Sequence, residues 1–230
     1  MTILVINSRV ANLHSVVKAL QLGGAAVQIT DRYQDFAGAR AIVLPGVGAF
    51  DAGMTALQQK DLIHPLQDWA AKGKPLLGIC LGLQMLFERS AEGEKAGLGI
   101  LKGDVQRLPA LPAVPLPHMG WNRLEICGSA SSASTSSAST SSAGDGWVLW
   151  QHLPAHPWVY FVHSYYVEPV DKMIVTATTD YGGFHPAVAV GQGNIMGLQF
   201  HPEKSGPIGL QILKNFVQYA GVLAETGNYG

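Results

Sequence analysis

Gly78-Ile79-Cys80-Leu81-Gly82-Leu83-Gln84 sets a cysteine between two glycines, where an apolar run meets a helix-like segment. Pro75–Ile79 reads as a buried strand and Leu83–Arg89 as a helix, so the Gly-x-Cys-x-Gly turn has the form of a nucleophile elbow. Small residues at 78 and 82 let the two backbones approach closely. Thiolate is the nucleophilic form of cysteine, and the partial positive charge of a helix N-terminus favours it. A buried cysteine is also an ordinary small hydrophobe, so the elbow alone leaves nucleophile and packing residue both open. Far along the chain, Gln199-Phe200-His201-Pro202-Glu203 offers what a thiol catalyst needs: a base, and a carboxylate to fix its tautomer. Standing two apart in an extended stretch, His201 and Glu203 would emerge on one face, with Asn194–Phe200 as the strand bringing them to a sheet edge. Without Cys80 the same pair also reads as surface residues.

The elements that must position these groups alternate in the first half. Thr2–Asn7, Ala26–Thr30, Ala41–Leu44 and Leu76–Ile79 are strand candidates. Asn12–Leu22 is amphipathic, with Asn12 as N-cap and Gly23-Gly24 as its stop, and Met54–Ala71 is helical material broken at Pro65. This β-α-β order predicts an α/β fold, a mostly parallel open sheet with helices on both faces and Cys80 along its carboxyl edge. From residue 98 the pattern changes to short strands at Gly103–Leu108, Val148–Trp150, Trp158–Glu168, Met173–Thr178 and Ala187–Gly191. They predict a smaller antiparallel or mixed portion folding over the site, closed by a helix over Ile208–Leu223.

At 230 residues, 47% hydrophobic and 13% charged, the chain fits one large domain over 1–230 with a substantial core. The net charge of −1, without a basic block, points away from nucleic acid and membrane surfaces. No apolar run approaches the ~18 residues that span a bilayer. Met1–Asn7 reads as a first strand rather than a leader, and two cysteines give no disulfide framework, so the cytoplasm is expected. Cys127 has no base in its local sequence and reads as incidental. The histidines at 64, 152, 156 and 185 show no metal-ligand spacing, and neither metal nor cofactor is implied. Ser129–Ala143 contains only Ser, Ala and Thr, and builds no core. The insertion at about 128–144 is expected to be a mobile surface loop, a composition that also suits a modification target.

The order Cys…His-x-Glu, with the GICLGLQ elbow and the QFHPE segment, resembles the class I (triad) glutamine amidotransferases from about Ile3 to Phe216. Leu44-Pro45-Gly46-Val47-Gly48-Ala49-Phe50, by itself an ordinary turn after a strand, sits where that family carries its oxyanion strand. The resemblance implies Cys80 as nucleophile, His201 as proton carrier and Glu203 as its orienter. It implies oxyanion donors at the Leu81 amide and at an amide of the Gly46-Val47-Gly48 stretch, Val47 or Gly48. Glutamine would be held by Gly48, Gln84 and the backbone around His163, Ser164 and Tyr165. His163 alternates with apolar neighbours, which favours a structural or binding histidine over a second base.

Four stretches narrow the resemblance to the glutaminase subunits of imidazole glycerol phosphate synthases: the PGVG form of the oxyanion segment, Ala11–Val16, Pro117–Asn122 and Phe161–Tyr165. Glutaminase domains of GMP, CTP and anthranilate synthesis share the elbow and the His-Pro-Glu, but are not expected to carry Pro117–Asn122. The implied partner is a (β/α)8-barrel cyclase subunit in a heterodimer, to which ammonia passes. Asn12, His118, Met119, Trp121 and Asn122 would lie at that contact, although Trp121 on sequence alone suits a core position. Asn7-Ser8-Arg9 and Ala11 depart from the Asp-Tyr-Gly and Gly of many relatives, which bears on the interface near Asn12 and leaves the catalytic positions untouched. Two other readings are a glutaminase serving another synthase, such as that of pyridoxal phosphate, and a non-catalytic binding protein on the same fold. Replacing residues 128–144 by a short Gly-Ser link should leave glutamine turnover and complex formation intact, and a large loss of either would give the insertion a role.

Overall fold

The structure, a computed structural model, describes residues 2–7, 13–112, 114–127 and 145–226. Asn12 and the insertion at 128–144 lie outside the described residues. The first half runs β1 (Thr2–Ile6), α1 (Leu13–Leu22), β2 (Ala26–Thr30), β3 (Ala41–Gly46), α2 (Phe50–Gln59), α3 (Ile63–Ala71), β4 (Leu76–Cys80) and α4 (Leu81–Met85). The second half adds β5 (Arg89–Ser90), β6 (Gly103–Arg107), β7 (His118–Arg123), β8 (Glu125–Ile126), β9 (Trp158–His163) and β10 (Tyr165–Pro169). It closes with β11 (Val175–Thr178), β12 (Ala187–Gln192), β13 (Ile195–Leu198) and α5 (Gly206–Thr226).

Among the described residues, the main sheet has the order β2-β1-β3-β4-β13-β12-β10-β6-β5, with β11 and β8 branching from β12. Its first five strands are parallel, and β13 to β12 to β10 to β6 is antiparallel. The expected α/β architecture is therefore what the chain adopts. Strand periodicity divides the core in two. Ile3, Val5, Val43, Leu77 and Ile79 pack with Val16 and Leu20 of α1 and with Ile212, Leu213 and Phe216 of α5. Leu4, Ile6, Ile42, Leu44 and Leu76 face the other way, onto Phe50, Met54, Leu57, Leu66 and Trp69 of α2 and α3. Both faces are covered, so the central strands are apolar throughout rather than alternating. Among the described residues no helix is long and apolar enough to cross a membrane.

Several local expectations are corrected. The Met54–Ala71 stretch breaks at Lys60–Leu62, where Asp61 takes φ 53° and the Lys60 and Leu62 amides both donate to the Leu57 carbonyl. Pro65 sits instead in the first turn of α3, where its missing N–H would have had no intrahelical partner. Val148–Trp150 is the end of a 3-10 helix, Asp145–Trp150, because so short an apolar run does not distinguish strand from helix. Met173 likewise lies in a 3-10 turn, Lys172–Ile174, capped by the Asp171 side chain, and the strand begins at Val175. Trp158–Glu168 is two strands that change partners at Ser164, β9 pairing with β7 in a separate two-stranded ribbon and β10 with β6. The helix expected over Leu83–Arg89 is Leu81–Met85, after which Arg89–Ser90 pairs with β6.

The elbow depends on close backbone approach. A Cβ on Gly82 would lie 1.7 Å from the Leu44 carbonyl oxygen, and one on Gly78 would lie 2.7 Å from the Leu83 nitrogen. Gly82→Ala is therefore expected to lower stability by about 3 kcal/mol, since neither contacting group is a flexible side chain. Gly38→Ala, which meets nothing within 4 Å, should stay within roughly 0.5 kcal/mol of the parent. Denaturant midpoints of the two variants check this.

Candidate active site

Cys80 ends β4 and pairs in register with Gly46 on β3. Its backbone takes φ 55°, ψ −112°, a conformation that costs a non-glycine residue roughly 1–3 kcal/mol and persists only when its surroundings enforce it. Gly46, Gly78 and Gly82 supply that enforcement by admitting the neighbouring backbone. The sulfur is nearly buried and accepts the Gln199 Nε2–H at 3.7 Å. Because α4 has only five residues, the electrostatic help at the thiol is local, from the first free N–H groups and this amide.

His201 follows β13, which lies between β4 and β12 in the interior of the sheet rather than at its edge. Leu198 of β13 is in register with Ile79 of β4, so His201 and Cys80 leave adjacent parallel strands at the same carboxyl end. The His201 amide donates to the Tyr160 carbonyl at 2.9 Å. Ser205 Oγ donates to the His201 carbonyl at 2.7 Å and accepts the Tyr160 amide at 3.0 Å. The ring Nδ1–H donates to Glu203 Oε1 at 2.8 Å, with both side chains almost fully buried. This pair does not form across an extended stretch, as periodicity suggested: Pro202 opens a 3-10 turn, Pro202–Lys204, that swings Glu203 back under the ring. Nε2, the other ring nitrogen, makes no aligned hydrogen bond among the described residues. Burial opposes the charged ring, but the neighbouring Cys80 sulfur and the Glu203 carboxylate outweigh it and raise the His201 pKa to about 10.

A cavity of about 410 Å³ opens on these groups. Val47, Gly48, Cys80, Leu81, Gln84, His163, Ser164, Tyr165 and His201 all line it, while Glu203 stands behind His201. Gly48 takes φ +91°, which a side chain would resist. Two lining or supporting residues carried no sequence signal of their own. Glu92, in a loop without a motif, lines the cavity and accepts the Phe50 amide at 2.8 Å, at the start of α2. Gln199 stands inside the QFHPE segment, but its contact with the sulfur depends on tertiary depth. Of the expected interface residues, Met119 and Trp121 are more than half exposed, so Trp121 is not a core aromatic. Asn122 is partly buried, and His118 is buried with its ring against Phe161 and Tyr181.

Residues 4–219 match the family Glutamine amidotransferase class-I. The chain belongs to this family. It is 50% identical over 213 residues to the imidazole glycerol phosphate synthase subunit HisH of Trichormus variabilis, covering 93% of each chain. The subunit of the same name from Acaryochloris marina is 49% identical over 97% of each chain. Among solved structures, a glutamine amidotransferase aligns with a TM-score of 0.68 and 18% identity, covering 95% of this chain and 98% of that one. PurLQS from Thermotoga maritima aligns at 0.64 and 18% over the same shares. These likenesses show that the fold is that of the class-I glutamine amidotransferases.

In this class-I glutamine amidotransferase, two further histidines differ from His201. Burial pushes the His163 pKa down to about 3 and that of His118 to about 4. Between pH 6.5 and these values the unfolded chain binds protons that the folded chain refuses, so stability falls as pH drops through that window. Going from pH 7 to 5, each ring should remove about 2 kcal/mol. His118→Asn, which does not titrate, should lose less stability than the parent over that interval in denaturant unfolding.

Proposed function

We propose that this chain hydrolyses glutamine to glutamate and ammonia, and passes the ammonia to a cyclase subunit that makes imidazole glycerol phosphate and aminoimidazole carboxamide ribotide in histidine biosynthesis. The observation that carries the reading is the convergence of Cys80, His201 and Glu203 on one cavity, in a chain half identical to subunits of that synthase.

The Cys80 sulfur attacks the side-chain amide carbon, giving a tetrahedral oxyanion. His201 delivers its Nε2 proton to the departing nitrogen, ammonia leaves, and a γ-glutamyl thioester remains. His201 then takes a proton from water as that water attacks the thioester, releasing glutamate and the thiolate. Glu203 holds the Nδ1–H tautomer throughout and stabilises the imidazolium. The Leu81 amide and an amide of Gly46–Gly48 are the oxyanion donors, each worth about 3 kcal/mol at the transition state. Glu92 supplies negative charge for the substrate ammonium, while Gly48, Gln84 and the backbone of Ser164 and Tyr165 hold its remaining polar groups.

Ammonia released into water is protonated and lost, so the cavity must open toward the partner. Met119, Trp121 and Trp158, each more than half exposed, form an apolar face on the β7–β9 ribbon. Pro117 and Val162, beside that face, line the cavity itself. A (β/α)8-barrel cyclase seated there would cover the mouth, with Trp121 as the anchor.

Ammonia release from glutamine, measured with and without a cyclase subunit carrying its nucleotide ligand, tests the reading. Turnover should be low alone and strongly raised by the liganded cyclase. It should vanish in Cys80→Ala and fall by roughly 10- to 100-fold in Glu203→Gln, because an orienting group only tunes the base. Turnover without stimulation would move the chain to another synthase, and no turnover under any condition would sink the enzyme reading. Trp121→Ala should weaken coupling at limiting cyclase while leaving the melting temperature near that of the parent. An unchanged synthase rate with glutamine would remove Trp121 from the contact.

A further inference from the structure

A continuous chain of hydrogen bonds runs from the partner-facing ribbon to the Cys80 sulfur. Gln199, fully buried, donates Nε2–H to that sulfur at 3.7 Å and accepts Gln84 Nε2–H on its Oε1 at 3.1 Å. The same Gln84 nitrogen donates to the Tyr165 carbonyl at 3.3 Å. That carbonyl also receives His163 Nδ1–H at 2.8 Å. A carbonyl only accepts, so the His163 proton must sit on Nδ1, and its Nε2 is left as an acceptor. His118 Nδ1 lies 3.0 Å from that Nε2 and must be the donor. His118 Nε2, an acceptor in turn, faces Asn122 Nδ2 at 3.4 Å. Asn122 is itself anchored, donating to the Asp180 carbonyl at 2.8 Å and accepting the Arg123 amide at 2.8 Å.

Every member has one assignment that satisfies its neighbours, and burial keeps both imidazoles neutral, so the direction of the chain is set. The His118 ring is clamped between Phe161 and Tyr181, with centroids 4.5 and 4.1 Å away. Its strand neighbours Met119 and Trp121 point outward. One strand thus presents an apolar face to a partner and a buried hydrogen-bond donor to the site.

We propose that His118 is a positioning residue for glutamine cleavage: through His163, Tyr165, Gln84 and Gln199 it holds the Cys80 sulfur and the Ser164–Tyr165 wall of the cavity in one arrangement. Its reach to the substrate rests on the glutaminase reading above. Without its donor, His163 Nε2 becomes an unpartnered buried acceptor, and the ring is free to turn away from the Tyr165 carbonyl. Gln84 then loses the fixed position of one of its two acceptors, and the alignment of Gln199 on the sulfur loosens.

The test uses the full chain and two substitutions. His118→Phe keeps the ring stack and removes the donor, whereas His118→Asn places an amide N–H near the lost Nδ1–H. With melting temperatures checked for both, the rate of Cys80 alkylation by iodoacetamide is measured without glutamine or partner. His118→Phe should slow it about tenfold and raise the KM for glutamine more than it lowers kcat, and His118→Asn should restore both to within about twofold. A folded His118→Phe protein that loses less than about threefold in alkylation and keeps its KM overturns the proposal. Nitrogen-15 spectra of the unsubstituted chain give a readout that no folding defect can blur. Both His118 and His163 must be neutral with the proton on Nδ1, and a proton on His163 Nε2 breaks the chain. A parent protein that releases no ammonia overturns the glutaminase reading and this inference with it. A parent that releases ammonia, matched by His118→Phe in every readout, overturns this inference alone.

Discussion

The site is built on one backbone constraint, the left-handed turn at Cys80 between β4 and α4. With φ at 55° the chain reverses within a residue, and α4 is pressed so tightly on β3 that the Gly82 Cα has no room for a Cβ beneath the Leu44 carbonyl. The conformational cost at Cys80 is met by burial on both sides of the sheet rather than by any partner of the thiol. Everything else is placed relative to that turn. Parallel pairing of β4 with β13 brings His201 out at the same sheet end, and pairing of β3 with β4 brings Gly46 and the residues after it alongside. Cys80, His201 and the segment carrying Val47 and Gly48 thus come from three adjacent strands, and their mutual positions follow from sheet register.

Electrostatics then separates the histidines into two kinds. His201, His163 and His118 are all buried, so desolvation acts against charge in each. Only His201 has a carboxylate on one nitrogen and a sulfur beside the other, and its charged form prevails. His163 and His118 face a carbonyl, an amide and each other, none of which repays the loss of hydration, and they stay neutral. Neutral rings serve as directional links, because each has one donor and one acceptor at known positions. The division of labour among chemically identical side chains is therefore set by which of them has an anion for a neighbour.

What could be read from the sequence tracks how local its cause is. The elbow was legible because sterics at Gly78, Cys80 and Gly82 act within a few residues, and the early strands because a buried parallel strand is apolar throughout. Asp61 shows the limit: the break in the α2–α3 stretch depends on an aspartate tolerating positive φ, while Pro65, the more conspicuous residue, sits where a helix accepts proline. Val148–Trp150 has too few residues to reveal a period. Glu203 reaches His201, but through a turn opened by Pro202 rather than by strand alternation. Glu92 and the contacts of Gln199 were beyond sequence, since each acts across more than forty positions of chain and carries no local pattern.

The β7–β9 ribbon joins the two halves of the functional reading. A lone two-stranded ribbon is marginal in water, and this one has Met119, Trp121 and Trp158 on its open face. It persists because its inner face is fastened: Phe161 packs edge-on against Phe200 at 5.8 Å, the His118 ring stacks beside it, and Thr179 Oγ1 donates to the Arg123 carbonyl. The same fastening reaches the site from two directions. Tyr160 holds the backbone of His201 through its carbonyl and through Ser205, and His163 holds the carbonyl of Tyr165. The first tie uses the β9 backbone at Tyr160 and the second a side chain from its inner face, so neither competes with the outward-facing residues. A shift of the ribbon as a unit would therefore move the His201 backbone and the Tyr165 wall of the cavity together. The exposed apolar face and the buried polar chain are two sides of one element, so the outer and inner surfaces of the ribbon are fixed relative to each other by the same backbone.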